Sequence, residues 1–365
     1  MASGYQVYVS FSGETGSKIQ NVGALGSDGS LLGDVLPAGG SFDELRGLAL
    51  DARGRLYVAN AFKKSSAVDV FSATINADGF SRDFLGTLIT SATSRALLHP
   101  YGLAFDGNNL FVSSQDTNVV SGYAISGKKM PSAQKLPVAS YLAKLNPKGE
   151  YYGATFVASA DPVKVRKQTP PAVDPDKGGL SASGFVAKTA ATEDDPPEAA
   201  DEAKPAKAQA RHSVRGIAFG GKRLYVADQA KDRVGIYGHK SGTFHGWIDA
   251  TADTSANPNA LDKPVGVVVS PADGRVYIGS PKNEAIFAYD PKSAKLELVV
   301  SSATSGVPAG ALEDLSGLAF APDGTLFFGS RTQQQLYTYD ASSGKVTAFG
   351  AKLPDAPECV LVSAV

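Results

Sequence analysis

The stretch Leu45–Ala61, LRGLALDARGRLYVANA, reads as two short apolar strands joined by a tight polar turn. Close copies return at YGLAFDGNNLFVSSQ from Tyr101, RGIAFGGKRLYVADQ from Arg215, VGVVVSPADGRVYIGSP from Val265 and SGLAFAPDGTLFFGSR from Ser316. Each copy runs from a glycine through a short alternating or apolar stretch to a polar turn and an aromatic-rich strand. Alternation bounded by Gly, Asp and Asn is the period-two signature of β-strands, and pairs such as Asp273-Gly274 and Asp323-Gly324 favour the positive φ of hairpin turns.

The repeated unit is longer than a hairpin. A third strand follows each hairpin, as in AVDVFS (Ala67–Ser72), RVGIYG (Arg233–Gly238), AIFAYD (Ala285–Asp290) and QLYTYD (Gln335–Asp340). A fourth follows in FLGTLI (Phe84–Ile89), FHGWID (Phe244–Asp249) and LELVVS (Leu296–Ser301). Gly216, Gly266 and Gly317 stand about fifty residues apart. A unit of that size buries too little apolar surface alone and must stack on its neighbours, and four strands per unit is the blade of a β-propeller.

The chain ends set the blade count. YQVYVSFSG (Tyr5–Gly13) resembles a second strand without a first, and APECVLVSA (Ala356–Ala364) a first strand without a second, with Cys359 where other blades have Gly. Pairing them closes a ring and removes exposed sheet edges. The expectation is therefore an all-β, six-bladed propeller over residues 1–365, a single domain closed by its N- and C-terminal segments. YYGATFVASA (Tyr151–Ala160) is expected to be the fourth strand of blade three, by its likeness to FLGTLITSA, rather than the start of a seventh blade.

Composition fits a large all-β core: of 365 residues, 43% are apolar and 39 are glycine. A formal net charge of -1 gives no electrostatic reason to expect nucleic acid or an anionic membrane as partner. One cysteine excludes an internal disulfide, and no apolar run approaches the length of a membrane-spanning helix. As written, with no leader, the sequence is expected to be soluble and cytoplasmic. Residues 161–211 depart from the repeat. They are rich in Pro, Ala, Lys, Asp and Glu and are expected to form a mobile insertion between blades three and four, serving as a tolerated loop or as a lid. The small basic loop Ser126–Lys135 needs only solvation to explain it.

The repeat resembles the NHL repeat, with RGIAFGGKRLYVADQAKDRVGIYG (Arg215–Gly238) as the nearest copy. The resemblance implies a propeller, whereas known propellers of this type include protein-binding modules, lyases and lactone hydrolases. In gluconolactonase-like propellers, glutamate, asparagine and aspartate at the starts of inner strands hold calcium. Only Glu358 matches that set, and Arg46 and Arg215 would oppose a cation there. Peptide-amidating lyases use zinc-binding histidines. His99 and His212 with Glu44 or Asp314 could assemble such a set, but at a different spacing. The Trp-Phe-Thr-Glu signature of streptogramin lyases does not occur at the ends of the second strands.

What the channel mouth holds must then come from its own residues. Arg46, Tyr101, Arg215, Val265, Ser316 and Glu358 stand immediately before the repeat glycine or its equivalent. Glu44, His99, Lys263 and Asp314 stand three before it, and Asn60 and Asp228 end second strands. Paired arginines can hold a carboxylate or phosphate by parallel hydrogen bonds, or they can simply neutralise nearby acids. The expected ligand set is Arg46, Arg215, Glu358, Glu44, Asp314, Lys263, Asn60 and Asp228, with His99 and Tyr101 as proton-moving groups and no cofactor or metal. Cys359 is expected to be a core residue, Trp247 a packing residue, and His239 and His245 surface residues. Two functions stay open: a site for a small anionic molecule, with lyase or hydrolase activity, and a protein-interaction propeller.

Overall fold

A computed structural model describes residues 4–13, 18–40, 42–94, 96–127, 131–135, 144–145, 151–152, 156–157, 213–239, 242, 244–249 and 261–364. The chain forms a six-bladed β-propeller. Blade two contains Leu45–Leu50, Leu56–Asn60, Ala67–Ile75 and Arg82–Thr90, from the channel outward. Blades four, five and six repeat this order from inner strands Val214–Gly220, Val267–Val269 and Leu315–Phe320. Blade one is closed by the two ends of the chain: Pro357–Ala364 is its inner strand, antiparallel to Tyr5–Phe11, with Val7 opposite Val362. Inner strands touch in sequence around the ring, the last against the first.

Period-two alternation explains the stacking. In the second strand of blade two, Val58 packs toward blade one while Tyr57 and Ala59 pack toward blade three. The same division repeats around the molecule, so a buried apolar cluster fills each of the six interfaces between blades, from Tyr8 and Phe71 in one to Val9 and Phe327 in the last. The repeat glycines serve close approach. A Cβ at Gly47, Gly216 or Gly317 would collide with backbone of the next inner strand, at Tyr101, Val265 and Val360 respectively. At the turns Asp273-Gly274 and Asp323-Gly324 the positive φ falls on the glycines, at 75° and 91°.

Blade three departs from the expectation. Its inner three strands are Pro100–Asp106, Asn109–Ser114 and Val119–Ser126, but the outer position is divided. Ser132–Lys135, expected as part of a solvated loop, pairs antiparallel with Tyr123–Ser126. Of the expected fourth strand Tyr151–Ala160, Phe156–Val157 lies beside Val120–Ser121, and it runs parallel. Tyr151–Tyr152 instead pairs with Lys144–Leu145. The ladder of Val119–Ser126 thus accepts two short partners, one per half, where other blades offer one continuous strand. The insertion at 161–211 and His212 lie outside the described residues. Among the described residues no helix is long and apolar enough to cross a membrane.

Candidate ligand site at the channel mouth

Four of the inner strands, in blades two, three, five and six, begin with the same local distortion. Glu44, His99, Lys263 and Asp314, three residues before the glycine, have φ of 48°, 52°, 52° and 47°. These left-handed residues turn the chain from the preceding blade into the channel, at a local steric cost that the ring must outweigh. The strand pairing then skips: Leu45 faces Asn60 and Leu48 faces Val58, and the same irregularity occurs in blades three, four and six. The residue before the glycine is thereby lifted from the ladder toward the axis. Arg46, Tyr101, Arg215, Val265 and Ser316 consequently line a polar cavity of about 510 Å³ at the mouth. Arg46, Tyr101, Val265, Ser316 and Glu358 also border a second, apolar cavity of about 410 Å³ that continues down the channel.

The polar groups of this ring interlock. Arg46 Nη1 donates to Glu358 Oε2 at 2.7 Å, and Arg331 Nη2 donates to Glu358 Oε1 at 2.9 Å. Ser12 Oγ donates to the same Oε1 at 3.2 Å. The guanidinium carbons of Arg46 and Arg215 lie 5.7 and 5.2 Å from the Tyr101 ring centroid, within cation–π range. Arg215 Nε also donates to Gln229 Oε1 at 2.9 Å. Burial and the Glu358 carboxylate push the Tyr101 phenol up to about 12, against Arg46, Arg215 and Arg331, which pull it down. Tyr101 is therefore a neutral donor at physiological pH.

The mouth brings together Arg46, Tyr101, Arg215, Lys263, Asp314 and, across the ring, Glu358. Other expected site residues lie beside it. His99 is 6% exposed and held between carboxylates, Nδ1 to Asp116 Oδ1 at 3.3 Å and Nε2 to Glu44 Oε2 at 3.5 Å. It borders neither cavity, and meets the mouth through its carbonyl oxygen, which accepts from the Gln115 N–H at 3.0 Å. Asn60 and Asp228 are 4% and 0% exposed. Asn60 Nδ2 donates to Asp69 Oδ2 at 3.1 Å, while Asp228 accepts from the Ser213 N–H at 3.0 Å and pairs with Arg233 at 3.6 Å. Ser280 and Ser330 occupy the same strand-end position and bond to the loop entering their own blade. Asp228 thus belongs with Ser280 and Ser330 to a set of brackets that fix the inter-blade loops, and Asn60 is held to the third strand of its own blade.

Arg331, Gln229 and Gln115 also line the mouth cavity, and Ser12 bonds Glu358. Each follows directly after a second strand, at the start of a loop on the mouth face. Cys359 has its thiol pushed up to about 11, chiefly by burial. Trp247 is covered by Arg233, 3.6 Å from the ring centroid, and His239 Nδ1 contacts Asp106 Oδ2 of blade three at 2.7 Å. Burial and Arg223 lower the pKa of His245.

The fold and its ring define the class: a six-bladed β-propeller with a charged, aromatic mouth. No protein-family model matches the sequence, nor does any curated protein. Among solved structures, the chain is similar to a candidate 6-phosphogluconolactonase from Bacteroides uniformis, at 15% identity and a TM-score of 0.57 over 99% of this chain and 100% of that one. It is also similar to a periplasmic gluconolactonase from Pseudomonas aeruginosa, at 14% identity and a TM-score of 0.51 over the whole of both chains. A chain of a nidogen–laminin complex aligns over 99% of this chain and 98% of its own, at 10% identity and a TM-score of 0.52. At these identities the likeness is one of fold.

Proposed function

We propose that the mouth binds a small anionic, oxygen-rich molecule and that the protein is a hydrolase or lyase acting on it without an obligate metal. The observation that carries this reading is the convergence of Arg46, Arg215 and Arg331 on one carboxylate, Glu358, and one phenol, Tyr101. Arg331 also reaches Asp314 at 3.9 Å, so three guanidinium groups meet two carboxylates and leave a local excess of positive charge, and guanidinium forks suit carboxylate or phosphate oxygens. Tyr101, protonated up to about pH 12, donates to an oxygen on which negative charge grows in the transition state. In this reading His99 positions Gln115, and Tyr101 is the donor that meets substrate.

The similarity to lactonases of this fold suggests the substrate to try first, a phosphorylated sugar lactone. Calorimetry with 6-phosphogluconate and with inorganic phosphate should detect binding that Arg46→Lys weakens roughly ten-fold or more. Tyr101→Phe should lower the hydrolysis of 6-phosphogluconolactone, followed by acid release, more than it lowers binding of the product. Absence of both binding and hydrolysis in the unaltered protein overturns the reading.

A second reading is favoured by a different observation. Leu31, Leu32 and Phe84, on the outer strands of blades one and two, are 50%, 41% and 44% exposed. Apolar side chains on neighbouring outer strands suit a protein contact, and in that case Leu32→Asp with Phe84→Asp should abolish capture while the mouth variants leave it intact.

A further inference from the structure

The apolar cavity below the ring has no part in the reading above. It is bounded at one end by Arg46, Tyr101 and Glu358, and its walls are inner-strand side chains, among them Phe219, Val269, Phe320 and Val362. These four are partly exposed although they lie inside the molecule. Between Ser316 and Phe320 the wall runs four residue steps, about 13 Å at the usual strand rise. A volume of about 410 Å³ is in the range of small-molecule sites and too small for a folded partner. Walls and end differ in chemistry: the apolar walls suit hydrocarbon, and one end meets the guanidinium-rich ring.

We infer that this channel binds a small amphipathic carboxylate, with its alkyl or aryl body along the inner strands and its carboxylate toward Arg46 and Tyr101. At that end Arg46 and its partner Glu358 line the channel, and Arg215 and Arg331 stand behind them on the mouth side, so that three guanidinium groups outnumber the two acids Glu358 and Asp314 and an amine head would be repelled. A purely apolar ligand would leave the ring's donors facing hydrocarbon. The inference uses the ring from the side opposite the mouth and does not require the mouth reading to hold.

Calorimetry with octanoate, 1-octanol and inorganic phosphate on the full chain tests it. Octanoate should bind with a negative heat-capacity change, the mark of apolar burial. Arg46→Gln should weaken octanoate roughly ten-fold and octanol by less than about two-fold, since only the former presents a charge to the guanidinium. Ala104→Leu, which adds bulk to a partly exposed wall position, should weaken octanoate and octanol together and leave phosphate unchanged. Should that variant lose its melting transition, Val362→Phe makes the same test from another blade. Phosphate binding without octanoate binding overturns the channel inference and leaves the mouth reading standing; octanoate binding without phosphate binding upholds the channel inference independently of the mouth reading. Octanoate binding that both wall variants leave intact also overturns the inference, by placing the ligand elsewhere.

Discussion

Two rings of residues one step apart on the second strands have opposite fates. Asp228, Ser280 and Ser330 end their strands buried and bonded to the loops that lead into the inner strands, and Asn60, at the same position, is buried against Asp69 of its own third strand. The next residues of blades four and six, Gln229 and Arg331, reach the axis and hold Arg215 and Glu358. Successive side chains of a strand point to opposite sides, so a shift of one position exchanges a structural bracket for a mouth-facing group. The inner strands show the same contrast, with the glycine pressed against its neighbour's backbone and the residue before it lifted into the channel.

Both rings depend on closure, so the largest effect should come from removing it. Deleting Pro357–Val365 takes away the inner strand of blade one and Glu358 together, and it exposes the Tyr5–Phe11 edge and the face of blade six. The expected outcome is insoluble protein, or loss of the cooperative melting transition. A soluble deletion variant with the melting temperature of the full chain would mean that the terminal strand does not close the ring.

Adjacent substitutions in blade four test the contrast itself. Asp228→Ala strips an acceptor from the Ser213 N–H and a counter-charge from Arg233, both within the protein, and should cost about 3–5 kcal/mol in chemical denaturation. Gln229→Ala, one residue on, removes one partly exposed hydrogen bond to Arg215 and should cost about 1 kcal/mol or less. Equal losses at the two positions would erase the distinction between bracket and mouth.

The fold was legible because it repeats. Alternation, turn pairs and the periodic glycine each appear in several copies, so an accident in one blade is corrected by the others, and the two incomplete ends could be matched. The site was legible only in part. Arg46, Tyr101, Arg215 and Glu358 stand at the mouth because they precede the repeat position, which a bulge turns toward the axis in blades one to four. Asn60 and Asp228 were expected at the mouth by their nearness in sequence, whereas side-chain parity at the strand end turns Asn60 to Asp69 of the third strand and Asp228 to the loop at Ser213. The pairing of Arg331 with Glu358 joins blade six to blade one, and no local pattern could disclose it. The outer edge of blade three escaped for the opposite reason, since its two short partners carry no repeat.

Alkaline pH probes the ring with a smaller effect. Cys359 and Tyr101 have folded pKa values raised to about 11 and about 12 from ordinary values of 9.0 and 10.0. A raised value means that the fold favours the protonated form. The associated stability is fully present below the ordinary pKa and is lost as pH rises through the folded one. Stability should therefore fall between about pH 9 and 12, on the order of 1 kcal/mol per pH unit for each group. Cys359→Ala should remove the lower part of the decline and Tyr101→Phe the upper part. A denaturation midpoint flat from pH 9 to 12 would count against the burial of both groups.

The smallest effect on the fold, and the most informative for function, is expected at Arg215. Its guanidinium bonds to Gln229 and lies over Tyr101 at the mouth, whereas Arg46 is tied to the buried Glu358. Lysine at 215 keeps the charge and most of the side-chain length but loses the planar fork and its stacking on the phenol ring. Stability should change by no more than about 1 kcal/mol, the scale of the hydrogen bond to Gln229 that is lost. A bound carboxylate or phosphate, however, would lose a pair of charge-assisted hydrogen bonds, and its affinity should fall roughly ten-fold to a hundred-fold. Measuring the melting curve and 6-phosphogluconate binding on the same Arg215→Lys protein separates the alternatives. A large drop in melting temperature would make Arg215 another bracket, and unchanged affinity with unchanged stability would remove it from the ligand site.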